Sequence, residues 1–204
     1  MPWTFALNGH LQTLSFTFIE WARQLISPVN YHHREIVHLA DGGALALDWF
    51  ILNGSIDKGD IVAIVPGVTG DGTKLYIMEI VKAAWEKGFQ PVVANYRGQA
   101  GVPLKTAPIY HGGDTQDLSE AFLYIHQKYC KERNFFTLGI SLGAGFLTNY
   151  LCEARDTTPV TASCSIACHF NTTKAIEHMS MNLFGAYDYA LGIFCSMASA
   201  QLLK

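Results

Sequence analysis

The segment FFTLGISLGAGFLTNY, residues 135–150, decides the fold of this chain. Its first six residues are mostly apolar and predict a short strand, and the rest predicts a helix that begins just after Ser141. Gly139 and Gly143 lie two residues before and two residues after the serine, which gives the pattern G-x-S-x-G. Where a strand turns into a helix at this pattern, the serine is held in a strained conformation with its hydroxyl exposed. The segment therefore predicts a catalytic nucleophile at Ser141.

The same pattern also fits an ordinary glycine-containing connection between a strand and a helix. Five-residue patterns recur by chance, so the pattern alone does not decide between the two interpretations. The strand signal before Ser141 and the helix signal after it favour the nucleophile, because this turn requires both.

Strand and helix signals alternate on both sides of this segment. The turn Asp41-Gly42-Gly43 predicts a hairpin, and the apolar run IVAIVP predicts a strand buried on both faces. Regular alternation with short connections predicts an α/β fold with a mostly parallel, doubly wound sheet and helices on both faces. The predicted strands are residues 35–39, 44–52, 61–66, 91–95, 135–140 and 160–167, and the helices between them are residues 73–87 and 114–129.

The chain divides into three predicted parts. Residues 1–34 begin irregularly and then show helical spacing, and we expect this N-terminal segment to pack on the domain. Residues 35–170 carry the alternation and form the predicted core. Residues 171–204, the cap segment, are helical throughout and hold no strand signal. We therefore expect an incomplete sheet that lacks its last core strands.

Composition restricts the class of protein. With 204 residues, 50% of them hydrophobic and 15% charged, the chain predicts a single globular domain. A net charge of −3 argues against a nucleic-acid partner. The five cysteines show no paired or metal-ligand spacing, which indicates free thiols in a reducing compartment. We find neither a secretory signal nor a transmembrane segment in the sequence, and we expect an intracellular protein, either cytoplasmic or peripherally membrane-associated.

The loop PGVTGDGTK, residues 66–74, has the glycine separation of a phosphate-binding loop. Such a loop requires its lysine directly after the second glycine, and here Thr73 stands between Gly72 and Lys74. We instead predict that the Val68 N–H points inward and forms an oxyanion hole with the Leu142 N–H. A plain glycine-rich connector remains the alternative.

Six pieces of sequence fall in one order and cover nearly the whole chain: NGHLQTL (8–14), DGGALALDW (41–49), PGVTGDG (66–72) with Tyr76, NYRGQAGVPL (95–104), GGDTQDL (112–118), and GISLGAG (139–145) followed by NYL. Together they resemble the AB hydrolase 4 (YheT-like) family of the α/β-hydrolase superfamily. The resemblance implies an α/β-hydrolase fold and a serine esterase or lipase. It implies a substrate that is an acylglycerol, phospholipid or fatty-acyl ester, with no cofactor and no metal.

The catalytic triad of that superfamily runs serine, acid, histidine along the chain. After Ser141 the histidines are His169 and His178, and the acids are Glu153, Asp156, Glu177 and Asp188. Each strand–helix–strand step takes about 30 residues, so the acid and the histidine are expected beyond the cap segment. We therefore predict that neither triad partner lies in this chain and that turnover is impaired. The alternative is that His169 substitutes as the base.

Two other functions remain open at this point. One is a non-catalytic binding or regulatory protein on a hydrolase scaffold. The other is an acyltransferase that uses the same serine to form an ester with an alcohol. The sequence leaves peripheral membrane contact and the oligomeric state open. Away from the serine, we expect Asp114 and Asp117 to cap and start a helix, and Arg97 to hold the loop of residues 96–113 rather than bind substrate.

Overall fold

The computed structural model describes residues 9–26, 32–51, 56, 59–111 and 113–202. Within the predicted N-terminal segment, positions 1–8 and 27–31 therefore fall outside the described residues, as do 52–55, 57–58, 112 and 203–204 elsewhere in the chain. Two of the sequence pieces quoted above lose their first residue in this way, Asn8 and Gly112. The division of the chain into residues 1–34, 35–170 and 171–204 stays a prediction.

Six strands form one sheet in the order β1-β2-β4-β3-β5-β6. The first two pairings, β1 with β2 and β2 with β4, are antiparallel, and the other three are parallel. This confirms the mostly parallel sheet that the alternation predicts. The strands are β1 (His33–His38), β2 (Ala44–Trp49), β3 (Ile61–Val65), β4 (Gln90–Ala94), β5 (Phe135–Ile140) and β6 (Ala162–Ile166).

Among the described residues, six α-helices accompany the sheet, with single 3₁₀ turns at Arg155–Thr157 and Asn182–Gly185. No helix within the described ranges is both long and apolar enough to cross a membrane. The helices are α1 (Gly9–Ile26), α2 (Leu75–Glu86), α3 (Gln116–Tyr129), α4 (Leu142–Ala154), α5 (Thr172–Met181) and α6 (Ala186–Leu202).

Two helices begin later than predicted because loop carboxylates hold the preceding residues. Asp71 accepts hydrogen bonds from both the N–H and the hydroxyl of Thr73, so α2 starts at Leu75 and not at residue 73. The prediction that Asp114 caps α3 is confirmed for the hydrogen bond and is one residue off for the position, since Thr115 stands at the N-cap without a side-chain cap bond. Asp114 lies one residue earlier and accepts from the N–H of Gln116.

The helices cover both faces of the sheet, as a doubly wound fold requires. On one face, α3 and α4 bury Phe122 and Leu147 against β3 and β5. On the other face, α2 buries Ile77 and Val81 against Phe50 and the opposite sides of β3 and β4. Each such fully buried side chain stabilises the fold by about 1.5 to 3 kcal/mol. The central strands are therefore buried on both faces, which explains the unbroken apolar run of β3.

The strand β6 is different, because it forms an edge of the described sheet. It pairs in parallel with β5, yet all five of its residues are exposed. Its central residue Cys164 and its last residue Ile166 thus lie on the surface within the described part of the chain.

A buried carboxylate joins the antiparallel and parallel parts of the sheet. Asp48 on β2 is fully buried and accepts hydrogen bonds from Arg34 on β1 at 2.5 and 2.8 Å. The amide of Asn95, at the end of β4, donates to the same carboxylate at 2.7 Å. Arg34 also donates to the carbonyl of Ala100, which attaches the loop after β4 to the first hairpin.

Arg97 holds the loop of residues 96–113, as predicted. Its guanidinium is buried and bonds both Asp117 on α3 and Asp41 in the hairpin turn, and it also donates to Thr106 in the middle of the loop. The guanidinium holds the pKa of the Asp41 carboxyl below its usual value. Asp117, which the sequence predicts to start α3, therefore also forms an ion pair with Arg97 that connects α3 to the loop of residues 96–113.

We expect Asp48→Asn to lower the free energy of unfolding by about 3 kcal/mol, because it leaves the Arg34 guanidinium without its charged partner. Urea-induced unfolding measures the change. The control is Asp156→Asn at an exposed position, expected to change stability by no more than about 0.5 kcal/mol. A loss below about 1 kcal/mol for Asp48→Asn would show that the buried pair is not a main link between the two parts of the sheet.

Candidate active site

Ser141 occupies a sharp turn between β5 and α4. Its backbone has φ of 54° and ψ of −116°, in the left-handed half of conformational space that residues with a side chain rarely adopt. The Ser141 N–H donates to Ile166 of β6 at 2.9 Å, and its carbonyl accepts from Ala144 at 3.0 Å. The strained serine predicted from the sequence pattern is confirmed, and neighbouring backbone holds it in place.

Gly139 and Gly143 permit this turn because no side chain fits at either position. A Cβ atom on Gly139 would lie 2.6 Å from the carbonyl oxygen of Gly143 and 2.7 Å from the Cα of Ala144. A Cβ atom on Gly143 would lie 2.3 Å from the carbonyl oxygens of both Val65 and Pro66. Real Cβ atoms do not approach other atoms so closely. Any residue other than glycine at position 139 or 143 would therefore overlap the neighbouring backbone.

The second of these contacts places the oxyanion loop, residues 66–70, beside the serine. The loop begins where β3 ends, and the first turn of α4 packs directly on its first carbonyl groups. The Cβ position of Gly67 lies 3.4 Å from the Cβ of Ser141 and 3.6 Å from the carbonyl oxygen of Ile140. The oxyanion loop and Ser141 therefore lie next to each other at the carboxyl ends of the paired strands β3 and β5.

Two backbone N–H groups near Ser141 correspond to the predicted oxyanion donors. Leu142 is the first residue of α4, and the first N–H groups of a helix have no partner within it. In the loop, the carbonyl of Gly67 accepts from the Gly70 N–H at 3.0 Å. Because N–H and C=O of a trans peptide group point in opposite directions, this bond turns the Val68 N–H away from Gly70. Among the described residues no backbone carbonyl accepts from Val68, and its role as a donor stays a prediction.

The described residues bring no histidine or carboxylate into hydrogen-bond contact with Ser141. His169, one of the two histidines that follow the serine, has its Nε2 3.5 Å from the Cβ position of Gly145, one turn along α4. His178 lies exposed on α5. The predicted absence of both triad partners from this chain stays a prediction. Of the acids that follow Ser141, Glu153 accepts from Thr115, and the other three are exposed: Asp156, Glu177 and Asp188.

The structure also adds residues to the site that the sequence did not assign. The hydroxyls of Tyr76 and Tyr96 both contact the start of the oxyanion loop. Tyr76 was part of the family resemblance, but without a role. The only sequence signal was its position in the first turn of the helix that follows the loop.

No group of three or more potential metal ligands occurs in the part of the chain that the structure describes. The candidate site contains the strained Ser141, the predicted N–H donors of Leu142 and Val68, and the side chains of Tyr76 and Tyr96 at the loop. Serine at a strand-to-helix turn on this strand order defines an α/β hydrolase.

Comparison with known proteins agrees with this class. No family model matches the chain. The chain is 32% identical to human "Phospholipase ABHD3" over 89% of its own length and 44% of that protein. It is 30% identical to "Embryogenesis-associated protein EMB8" of Picea glauca, over 90% of this chain and 41% of the relative. The chain thus spans less than half the length of these curated relatives.

Solved structures show the same fold. The esterase Pf2001 of Pyrococcus furiosus superimposes with a TM-score of 0.57 at 12% identity, covering 85% of this chain and 67% of that one. The chain belongs to the α/β-hydrolase superfamily and, within it, to the ABHD3-like family.

We expect Gly143→Ala to destabilise the chain by about 3 kcal/mol, because the new methyl group would overlap two backbone carbonyl oxygens that cannot rotate away. The matched control is Gly192→Ala on α6, where a Cβ meets nothing within 4 Å, and alanine is expected to stabilise the helix by about 0.5 to 1 kcal/mol. Chemical unfolding of both variants tests the contact. Equal stability of the two variants would contradict the close approach of α4 to β3.

Proposed function

We propose that this chain carries the nucleophile of a serine hydrolase that cleaves carboxylic esters. The observation that supports the proposal most directly is Ser141 at φ of 54°, packed so near the oxyanion loop that a Cβ placed on Gly67 would lie 3.4 Å from the Cβ of the serine. A serine held in this way presents its hydroxyl above the first turn of α4, where the positive end of the helix dipole favours an anion.

In the first step, the Ser141 Oγ attacks the ester carbonyl carbon, and the carbonyl oxygen becomes an oxyanion. The Leu142 N–H and the Val68 N–H donate to this oxyanion, a type of interaction that contributes about 2.7 to 4 kcal/mol per donor to transition-state stabilisation. The bond to the leaving alcohol then breaks, and the serine proton leaves with that alcohol. The product is an acyl group on Ser141.

In the second step, water attacks the acyl group, releases the carboxylic acid and returns the proton to Ser141. If an alcohol takes the place of water, the product is a new ester. Hydrolysis and acyl transfer therefore share the first step and differ in the second nucleophile.

A lipid ester or other fatty-acyl ester is the substrate class that fits best. The human relative is named a phospholipase, and the helices after β6 expose large apolar side chains. These are Ile176 and Met181 on α5, Phe184 in the turn before α6, and Tyr189 on α6. An exposed apolar surface on the helices that follow β6 favours a substrate with a long acyl chain.

A second candidate function is that of a binding or regulatory protein on the same scaffold. The specific observation in its favour is that Ser141 has no histidine within hydrogen-bond contact among the described residues. A serine without a positioned base is a weak nucleophile at neutral pH. The two candidates differ in the reactivity of Ser141.

We expect the chain to form a covalent adduct with a fluorophosphonate probe at Ser141. Peptide mass spectrometry locates the adduct, and Ser141→Ala is expected to abolish it. Ser196→Ala, a serine exposed on α6, is the control that leaves labelling unchanged. A folded chain that remains unlabelled would contradict the hydrolase proposal and favour the binding protein.

For a chain that is labelled, we expect a fatty-acyl p-nitrophenyl ester to release p-nitrophenol, with free fatty acid as the second product. Addition of a primary alcohol separates hydrolysis from acyl transfer. The hydrolase proposal predicts fatty acid as the main product in the presence of alcohol. Predominant formation of the fatty-acyl ester of that alcohol would contradict it and identify an acyltransferase.

A further inference from the structure

One peptide group at the start of the oxyanion loop is held at both ends by tyrosine hydroxyls. The Tyr96 hydroxyl donates to the carbonyl oxygen of Pro66 at 2.6 Å. The N–H of the following residue, Gly67, donates to the hydroxyl oxygen of Tyr76 at 3.1 Å. The two tyrosines come from different elements, since Tyr76 lies in the first turn of α2 and Tyr96 follows β4.

This peptide group needs partners from outside the sheet. The pairing of β3 with β5 ends at Val65, and its pairing with β4 ends at Ile64. Pro66 and Gly67 are nevertheless buried, and a buried backbone group without a hydrogen bond costs about 1 to 3 kcal/mol. The tyrosine hydroxyls supply the hydrogen bonds that a neighbouring strand supplies elsewhere.

The glycines of the loop make room for the Tyr76 hydroxyl. A Cβ atom on Gly70 would lie 2.3 Å from this hydroxyl oxygen, so any other residue there would displace the Tyr76 hydroxyl from its present position. The Cβ position of Gly67 lies 3.5 Å from the same oxygen and 3.4 Å from the Cβ of Ser141. Tyr76 and the serine thus both lie next to Gly67.

Tyr96 is held rigidly in its donor role. Its side chain is buried, and burial raises the pKa of its hydroxyl well above the usual value, so the proton stays on the oxygen. Its ring stacks on Tyr110 with centroids 4.6 Å apart and contacts the ring of Phe146 on α4. A hydroxyl fixed in this way keeps the Pro66 carbonyl in one orientation.

We infer that Tyr76 and Tyr96 form a clamp that positions the oxyanion loop, so that the Val68 N–H is aimed at the reacting carbonyl before substrate binds. The clamp fixes the Pro66–Gly67 peptide group, and the Gly67–Gly70 hydrogen bond fixes the next one, whose N–H belongs to Val68. Both tyrosines are positioning residues, because they act through the loop. The inference rests on the proposed function, since the Val68 N–H has an oxyanion to stabilise only if Ser141 attacks an ester.

The test compares Tyr76→Phe and Tyr96→Phe with Tyr150→Phe in the full chain. Tyr150 is a matched control, because it is also buried and its hydroxyl bonds Thr158 at 3.0 Å, away from the loop. The first readout is amide hydrogen exchange in a peptide that covers residues 66–72. We expect at least tenfold faster exchange there in both clamp variants, with the other peptides unchanged, and no change at this loop in Tyr150→Phe.

The second readout is the rate of fluorophosphonate labelling at Ser141. We expect the maximal labelling rate to fall about tenfold in the clamp variants, while the probe concentration at half-maximal rate stays constant. A general loss of stability would instead accelerate exchange throughout the chain. A lost binding contact would change the half-maximal concentration.

The results separate this inference from the hydrolase proposal. If the unaltered chain is not labelled, the hydrolase proposal fails, and exchange at residues 66–72 alone decides whether the clamp exists. If the unaltered chain is labelled, faster loop exchange together with slower labelling supports the inference. Unchanged exchange overturns it, and so does faster exchange with an unchanged labelling rate.

Discussion

The fold depends on the close approach of two backbone segments at one edge of the sheet. The first turn of α4 lies so near the end of β3 that a Cβ on Gly143 would come within 2.3 Å of two carbonyl oxygens. This contact brings the oxyanion loop beside Ser141, and it leaves the serine no unstrained conformation. Two residues without side chains, Gly139 and Gly143, therefore decide how closely Ser141 and the oxyanion loop approach each other.

Hydrogen bonds and ion pairs from polar side chains hold the surrounding loops at that edge. The buried carboxylate of Asp48 connects the first hairpin to the end of β4 through Arg34 and Asn95. Arg97 attaches the next loop to α3, and the tyrosine that precedes it reaches the start of the oxyanion loop. Buried polar groups of this kind tolerate few arrangements, since an unpaired one is costly. Side-chain hydrogen bonds and ion pairs thus hold the loops around the site, and close backbone contact holds α4 against the end of β3.

The sequence predicts the local features well because they depend on neighbouring residues. The pattern around Ser141 predicts the strand, the turn and the need for Gly139 and Gly143, and the apolar run of β3 predicts its burial. Helix starts were predicted less well: Asp71 bonds the N–H of Thr73 ahead of α2, and Asp114 lies before α3 and bonds the N–H of its first residue. The role of Tyr96 could not be predicted, since its partner Pro66 is distant in sequence and the contact exists only once β3 and β4 are paired.

The central claim is that Ser141 is a nucleophile whose oxyanion is held by the N–H groups of Val68 and Leu142. A crystal structure of the chain after reaction with a fluorophosphonate tests it most directly, because the phosphonyl oxygen occupies the position of the oxyanion. The account predicts a bond from phosphorus to the Ser141 Oγ and a phosphonyl oxygen about 2.7 to 3.1 Å from both nitrogens. Phosphorus on another residue, or a phosphonyl oxygen directed away from both N–H groups, would contradict it.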